Sequence, residues 1–282
     1  MVRDDLSAEQ YHDDATAIGK SGLDYVARSP AHYYAAYLDP HRVREEATPA
    51  MILGTCYHYA SLEPAKFKAK VIGAPVGDRR TKEGKKAYAE FLALHPGKII
   101  LPQEDYDTVR RMRDVLHAHP AARVLITGGV TERSFYWKDA DTGVLCKCRP
   151  DYARRDGVLV DLKSAEDARP DAFARSSWNY RYYVQAPWYM DGVGHAASWD
   201  GTAEFARPEV FAFIVQEKSP PYSVMVYEAT RQFLDTGRME YTRNLTTYAA
   251  CLREGYWPAY PEEILPIDLP SWAVRNAARL PA

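Results

Sequence analysis

The stretch RPDYARRDGVLVDLK, Arg149 to Lys163, decides how this sequence is read. It closes one apolar segment on a carboxylate, Asp151, and carries a second, Asp161, ten positions later, with Lys163 two beyond that. In an extended strand successive side chains alternate faces, so Asp161 and Lys163 point one way while Val160 and Leu162 point into a core. Two carboxylates on neighbouring strands hold a hard cation such as Mg²⁺ through oxygen. An ammonium beside them steadies an oxyanion or helps to activate water. This is the chemistry of phosphodiester cleavage. Asp-x-Lys at a strand end is equally the pattern of a surface ion pair worth little, so the motif needs agreement from the rest of the chain.

Composition sets the frame. The chain has 282 residues, 46% hydrophobic and 26% charged, enough to bury a sizeable core as one elaborated domain or two small ones. We expect one domain over 1–282: a mainly helical part at 1–120, a sheet-containing core at 121–260 and a tail at 261–282. With 36 basic against 38 acidic residues there is no global basic field, so any nucleic-acid contact must be local. The start, Met1-Val2-Arg3-Asp4-Asp5-Leu6, has no apolar leader core. No run approaches the ~18 apolar residues of a membrane span, so a soluble, cytoplasmic protein with no membrane partner is expected. The four cysteines, Cys56, Cys146, Cys148 and Cys251, are too scattered for a disulfide framework. Cys146 and Cys148 alternate with Leu145 and Lys147, which puts both thiols on one strand face.

Before this core the chain reads as capped helices. Ser21, Ser29-Pro30 and Thr48-Pro49 each open a helical run. In the third run Gly54 and His58 share a face, four residues apart; a lone histidine there is also what an ordinary core position looks like. A local basic patch follows. Lys66, Lys68, Lys70, Arg79, Arg80, Lys82, Lys85 and Lys86 lie among only two acids, Asp78 and Glu83, which suits a phosphate backbone or simply a solvated face. Thr81 can cap a helix from Lys82, leaving Arg79 and Arg80 at a helix N-terminus, where anions bind. Tyr106, Val109, Met112 and Leu116 form a packing stripe over Gln103 to His119. Val130 to Trp137 alternates and should pair, through Asp139 to Gly143, with the strand from Val144, so that Glu132, Ser134 and Tyr136 share a face. Arg169-Pro170-Asp171 introduces a helical stretch that runs through Asn179-Tyr180-Arg181-Tyr182-Tyr183 and places Gln185 and Tyr189 on one face. Pro187 between them should kink it. Two strands, Val210–Val215 and Tyr222–Tyr227, continue the sheet. A long helix with a stripe at Leu234, Tyr241, Leu245, Tyr248 and Leu252 ends at Gly255. There is no Gly-rich nucleotide loop, so ATP dependence is not expected.

The pattern P-D-x9-D-x-K resembles the PD-(D/E)XK nuclease superfamily. The segment Ser21 to Phe67, with S-P-A-H-Y-Y, G-T-x-x-H and L-E-P-x-x-F, resembles the N-terminal part of RecE-type exonucleases (exonuclease VIII and related phage recombination nucleases). D-R-R-T-K-x-G-K from Asp78 and Q-x-x-x-Y at Gln185 and Tyr189 agree with it. The resemblance implies a restriction-endonuclease-like α/β fold, a mixed central sheet flanked by helices with an N-terminal helical portion. It also implies that His58, Asp151, Asp161 and the Leu162 carbonyl hold Mg²⁺ or Mn²⁺, with Lys163 assisting the water or the transition state. Gln185 and Tyr189 flank the site. Glu132 joins the metal directly or through water, or is an edge-strand residue with no role. Arg79, Arg80, Lys82, Lys85 and Lys86 would meet the DNA end. Some relatives carry an iron–sulfur cluster on a C-terminal cysteine trio; only Cys251 lies there, so none is expected. Relatives degrade linear duplex DNA 5′ to 3′, often as ring-shaped oligomers, and leave 3′ strands for a RecT-like annealing partner in a bacterial cytoplasm. The alternatives are a superfamily nuclease of other polarity or substrate, of repair or adaptation type, and a silent DNA-end-binding protein.

Overall fold

The computed structural model describes residues 1–3, 5–43, 46–200, 204–270 and 274. The chain opens with β1 (Val2–Arg3), α1 (Ala8–Asp13), α2 (Lys20–Arg28) and the single turn α3 (Pro30–Tyr33), which continues as a π-helical turn over Tyr34–Leu38. Next come α4 (Pro49–Leu62), α5 (Pro64–Lys70), β2 (Val71–Gly73), α6 (Lys82–Leu94), β3 (Ile99–Leu101), α7 (Gln103–Ala118) and α8 (Pro120–Leu125). The sheet-bearing part holds β4 (Gly129–Thr131), β5 (Ser134–Lys138), β6 (Leu145–Cys148), β7 (Tyr152–Arg154), β8 (Val158–Ala165), α9 (Pro170–Asn179), α10 (Tyr182–Asp200), β9 (Val210–Glu217), β10 (Val224–Glu228) and α11 (Arg231–Glu254).

The central sheet has five strands in the order β10-β9-β8-β7-β4, parallel between β8 and β9 and antiparallel elsewhere. Helices cover both faces, which is why β9 opens as a continuous apolar run, Val210 to Val215. Leu159, Phe211, Phe213 and Val215 pack on one side with residues of α2, α10 and α11, beside the smaller sheet β1-β5-β6. Val160, Leu162 and Ile214 pack on the other with α4 and α7. The mixed α/β architecture expected from the sequence is therefore present.

One break in the ladder positions everything that follows. β7 pairs with β8 only through Tyr152↔Val160 and Ala153↔Leu159. Beyond that point the Leu162 amide donates instead to the Asp151 carboxylate, at 2.7 Å. The side chain takes over a ladder bond, the sheet opens at Asp161, and residues from both faces can reach the gap.

Several local expectations hold. Ser29 and Thr48 cap their helices, Thr81 caps α6 with Gly84 donating to its hydroxyl at 3.0 Å, and Gly255 ends α11 at φ +65°. Val109, Met112 and Leu116 are buried as the stripe requires. Others are corrected. Ser21 lies inside α2, whose N-cap is Gly19 without a side-chain bond. The expected strand over 130–137 is two strands in two sheets, broken at Glu132, whose φ is +50°. Glu132 thus shares no strand face with Ser134 and Tyr136, and only β5 makes the hairpin with β6. The helix over 179–189 is interrupted at Arg181, φ +56°. Leu252 is 47% exposed rather than core, because the buried face of the last turn is the one that carries Tyr248 and Cys251. Of the tail, residues 271–273 and 275–282 lie outside the described residues. No helix among the described residues is long and apolar enough to cross a membrane.

Candidate metal centre and its surroundings

Four separate pieces of chain meet where the sheet opens. From one face α4 brings His58: Thr48 fixes its start and a buried bond from Tyr57 Oη to Gln216 Oε1 on β9, 2.5 Å, fixes its depth. His58 Nε2 lies 2.8 Å from the Leu162 carbonyl and Nδ1 lies 3.6 Å from Asp151 Oδ2. Burial pushes the His58 pKa down, so the ring is neutral at pH 7; Nε2–H donates to Leu162 and the Nδ1 lone pair faces the carboxylates. The left-handed turn at Glu132 then swings a third donor into place. Ligand atoms of His58, Glu132 and Asp151 all lie within 4.8 Å of one another.

From the other face α10 supplies Gln185, which bridges the D-x-K pair. Its Nε2 donates to Asp161 Oδ1 at 2.6 Å and its Oε1 accepts from Lys163 Nζ at 3.1 Å. Asp161 is 1% exposed. Its Oδ2 stands 2.7 Å from Lys163 Nζ as an ion pair but receives no directed hydrogen bond, so a buried carboxylate oxygen keeps unused acceptor capacity. Burial opposes the charge on Lys163, yet Asp161 and Asp151 outweigh it and raise its pKa. Burial, reinforced by Asp161, drives Asp151 well up. Burial, reinforced by Asp151, brings Glu132 to about 7 although Arg149 Nε reaches it at 3.0 Å. Tyr189 lies one turn further along the same helix, partly buried, its phenol pushed well above its usual range by desolvation.

A divalent cation fits this donor set. Neutral imidazole and carboxylates are hard-cation and transition-metal ligands, the crowded acids are short of positive charge, and Asp161 Oδ2 lacks a directed donor. The compact trio is His58, Glu132 and Asp151, while Asp161 is turned toward Lys163 and Gln185. The Leu162 carbonyl already accepts from His58, leaving one lone pair. Sequence reasoning assigned no role to Arg149 or Tyr182. Arg149 holds Glu132 and reaches Ser134 Oγ at 2.9 Å; it stood inside the deciding motif and could have been flagged. The Tyr182 ring lies under Lys163 Nζ, 4.2 Å from its centroid; its position three before Gln185 on one helix was the signal.

Two openings flank the centre. A cleft of about 940 Å³ is lined by Glu132, Arg149, Lys66 and Lys70 among others. A groove of about 540 Å³ runs past Met51, Gly54, Ser164 and Tyr182. Helix α4 borders both, with Gly54 on the groove, Tyr59 on the cleft and His58 between them in sequence. The basic segment is exposed: Arg79 lies 3.8 Å over the Tyr88 ring, Arg80 Nε pairs with Asp78 at 3.0 Å and Lys86 reaches Glu90 at 3.9 Å. Among the described residues no hydrogen bond or ion pair joins Arg79, Arg80, Lys82, Lys85 or Lys86 to Glu132, Asp151 or Asp161. All four cysteines are free and buried.

The fold, with its D-x-K strand, is that of a PDDEXK-like domain. Residues 19–269 match the family described as "PDDEXK-like domain of unknown function (DUF3799)", and the chain belongs to it. Among solved structures it is similar to a "Putative exonuclease" from Eubacterium rectale, at 14% identity and TM-score 0.58, covering 96% of this chain and 98% of that one. The structure of SSO0001 aligns over 84% of this chain and 86% of that one at 11% identity, but its TM-score of 0.28 carries no argument. No curated protein sequence matches.

Proposed function

We propose that this protein is a metal-dependent exodeoxyribonuclease that degrades linear double-stranded DNA, 5′ to 3′, leaving 3′ single strands for recombination. The observation that carries the reading is the meeting of His58, Glu132 and Asp151 beside the Asp161–Lys163–Gln185 network. His58, Asp151 and Glu132, with Asp161 and the Leu162 carbonyl completing the set, would hold Mg²⁺ or Mn²⁺. When bound, the cation polarises the phosphate and lowers the pKa of an attacking water.

The chain's own residues do the rest. Lys163 is held cationic by its two aspartates and aims its ammonium where charge develops on the phosphate oxygens. Gln185 keeps the aspartate and lysine in register, and Tyr182 and Tyr189 wall the lysine and carboxylates from bulk water. Arg149 orients Glu132. The exposed Arg79, Arg80, Lys82, Lys85 and Lys86 would track the duplex backbone in a salt-dependent way. We read residues 1–282 as one nuclease domain, and the sequence resemblance supports a ring-shaped homo-oligomer and a RecT-like single-strand annealing partner in a cytoplasm.

The test is nucleotide release from end-labelled linear duplex and from closed circular duplex, each with Mg²⁺, Mn²⁺ or chelator. The expected result is metal-dependent loss of the 5′ label from linear DNA alone. Loss of the 3′ label first reverses the polarity. Binding of DNA ends without release under either metal replaces the enzyme with an end-binding protein.

A further inference from the structure

The exposed Tyr180 corner is unexplained by the metal centre. Tyr180 ends α9 and its backbone is pinned: its amide donates to Ser176 O at 2.9 Å and Lys20 Nζ donates to its carbonyl at 2.7 Å. The next residue, Arg181, adopts a left-handed φ of +56°, a conformation that costs a non-glycine residue energy unless its surroundings enforce it. Two carboxylates enforce it: Arg181 Nε donates to Asp24 at 2.8 Å and Nη1 to Glu240 at 2.7 Å. The corner so held presents the Tyr180 ring to solvent, 63% exposed. One side of that ring stacks on Tyr182, centroids 5.7 Å apart at 24°, and Tyr182 in turn carries the Lys163 ammonium on its face.

The platform therefore begins at Lys163 and ends in an open groove. Opposite it stands Gly54, where an added Cβ would meet nothing within 4 Å. A glycine in mid-helix costs about 1 kcal/mol relative to alanine, and here no packing accounts for it. Lys218 lines the same groove. Aromatic rings beside cationic side chains are how proteins hold unpaired nucleobases without reading their sequence.

Building on the nuclease reading, we propose that Tyr180 is a positioning residue that stacks an unpaired base next to the phosphate under attack, the strand lying in the groove between Gly54 and Tyr182. The enzyme thereby holds a frayed DNA end rather than an intact base-paired one. Any base satisfies the ring, so the site is indifferent to sequence.

The experiment uses the full-length protein without divalent metal and a duplex with a short single-stranded end carrying 2-aminopurine, read by fluorescence quenching. Tyr180→Phe should bind and quench like the parent. Tyr180→Ala should lose the quench and raise Kd about ten- to a hundredfold. Trp178→Ala removes a similarly exposed ring of the same corner, 64% exposed but stacked on Tyr183, and should change neither. Gly54→Leu should weaken binding of the frayed end without lowering Tm. With Mg²⁺, Tyr180→Ala should raise KM more than it lowers kcat. Parental quenching by Tyr180→Ala, or equal losses in Tyr180→Ala and Trp178→Ala, overturns the stacking role and leaves the nuclease reading standing. Failure of the parent protein to bind or cut any DNA overturns both.

Discussion

Asp161 is buried and its partner Lys163 half-buried, and that decides how they should be probed. Truncating Lys163 to alanine strands the Asp161 charge in a buried place, at a cost of about 3–5 kcal/mol, so loss of activity would be confounded with loss of fold. The double variant Asp161→Asn with Lys163→Met keeps volume and removes both charges together. It is expected to abolish nucleotide release while circular dichroism and Tm stay near the parent; release surviving in it would remove the pair from the mechanism. Gln185→Ala frees both partners without stranding a charge, and release should fall about ten- to a hundredfold. The acids carry a second, opposite signature. In the metal-free protein Glu132 titrates near 7 and Asp151 well above its usual range. Groups whose folded pKa is raised bind more protons folded than unfolded, so stability falls as pH rises from the ordinary carboxylate range toward their folded values. Metal-free Tm should therefore drop between pH 5 and 7.5, and Mg²⁺ or Mn²⁺ should raise Tm more at pH 7.5 than at pH 5. Equal increments at both would argue against these acids as ligands.

Helix α10 survives its proline for a reason that lies in another element. Pro187 cannot donate to the Tyr183 carbonyl, and at that freed carbonyl α11 comes close through Gly237. A Cβ at 237 would stand 1.7 Å from the Tyr183 oxygen and 2.9 Å from the Pro187 ring. Gly237 is thus needed for contact, not for backbone freedom. Gly237→Ala would improve helix propensity yet must part α10 from α11, costing about 3 kcal/mol and several degrees of Tm by calorimetry. It should also lower activity, since α10 carries Gln185; an unchanged Tm would show that the two helices are less closely seated. The break at Arg181 has the same character. Its cause, a clasp by Asp24 and Glu240 from residues far away in sequence, leaves no local trace, so the sequence reads there as unbroken helix.

Over the whole molecule, legibility followed the range of the cause. The D-x-K strand, the caps at Ser29, Thr48 and Thr81, and the Gly255 stop were readable because each is set by neighbours within a turn or a pleat. The split at Glu132 was not, because it arises where one strand must leave the central sheet and the next join another. That second sheet is completed by residues 1–3 and 5–19, which wrap it. Val2 pairs with Phe135, Ile18 donates to Leu145 O, and Arg149 Nη1 reaches Leu6 O at 3.3 Å while its Nε holds Glu132. Lys147 is the anchor: 6% exposed, it gives its ammonium to the carbonyls of Tyr11 and Asp14. Burial lowers its pKa while the charges of Asp14 and Asp13 oppose the drop. Lys147→Met would keep the stem and leave both carbonyls unpaired, at about 1–3 kcal/mol for a buried unsatisfied group. The wrap should then loosen first, seen as faster proteolysis within residues 5–19. Because Arg149 ties the wrap to Glu132, affinity for Mn²⁺ by calorimetry should fall with it. Proteolysis confined to that segment with parental Mn²⁺ affinity would show that the wrap braces the small sheet alone and that Glu132 is oriented without it.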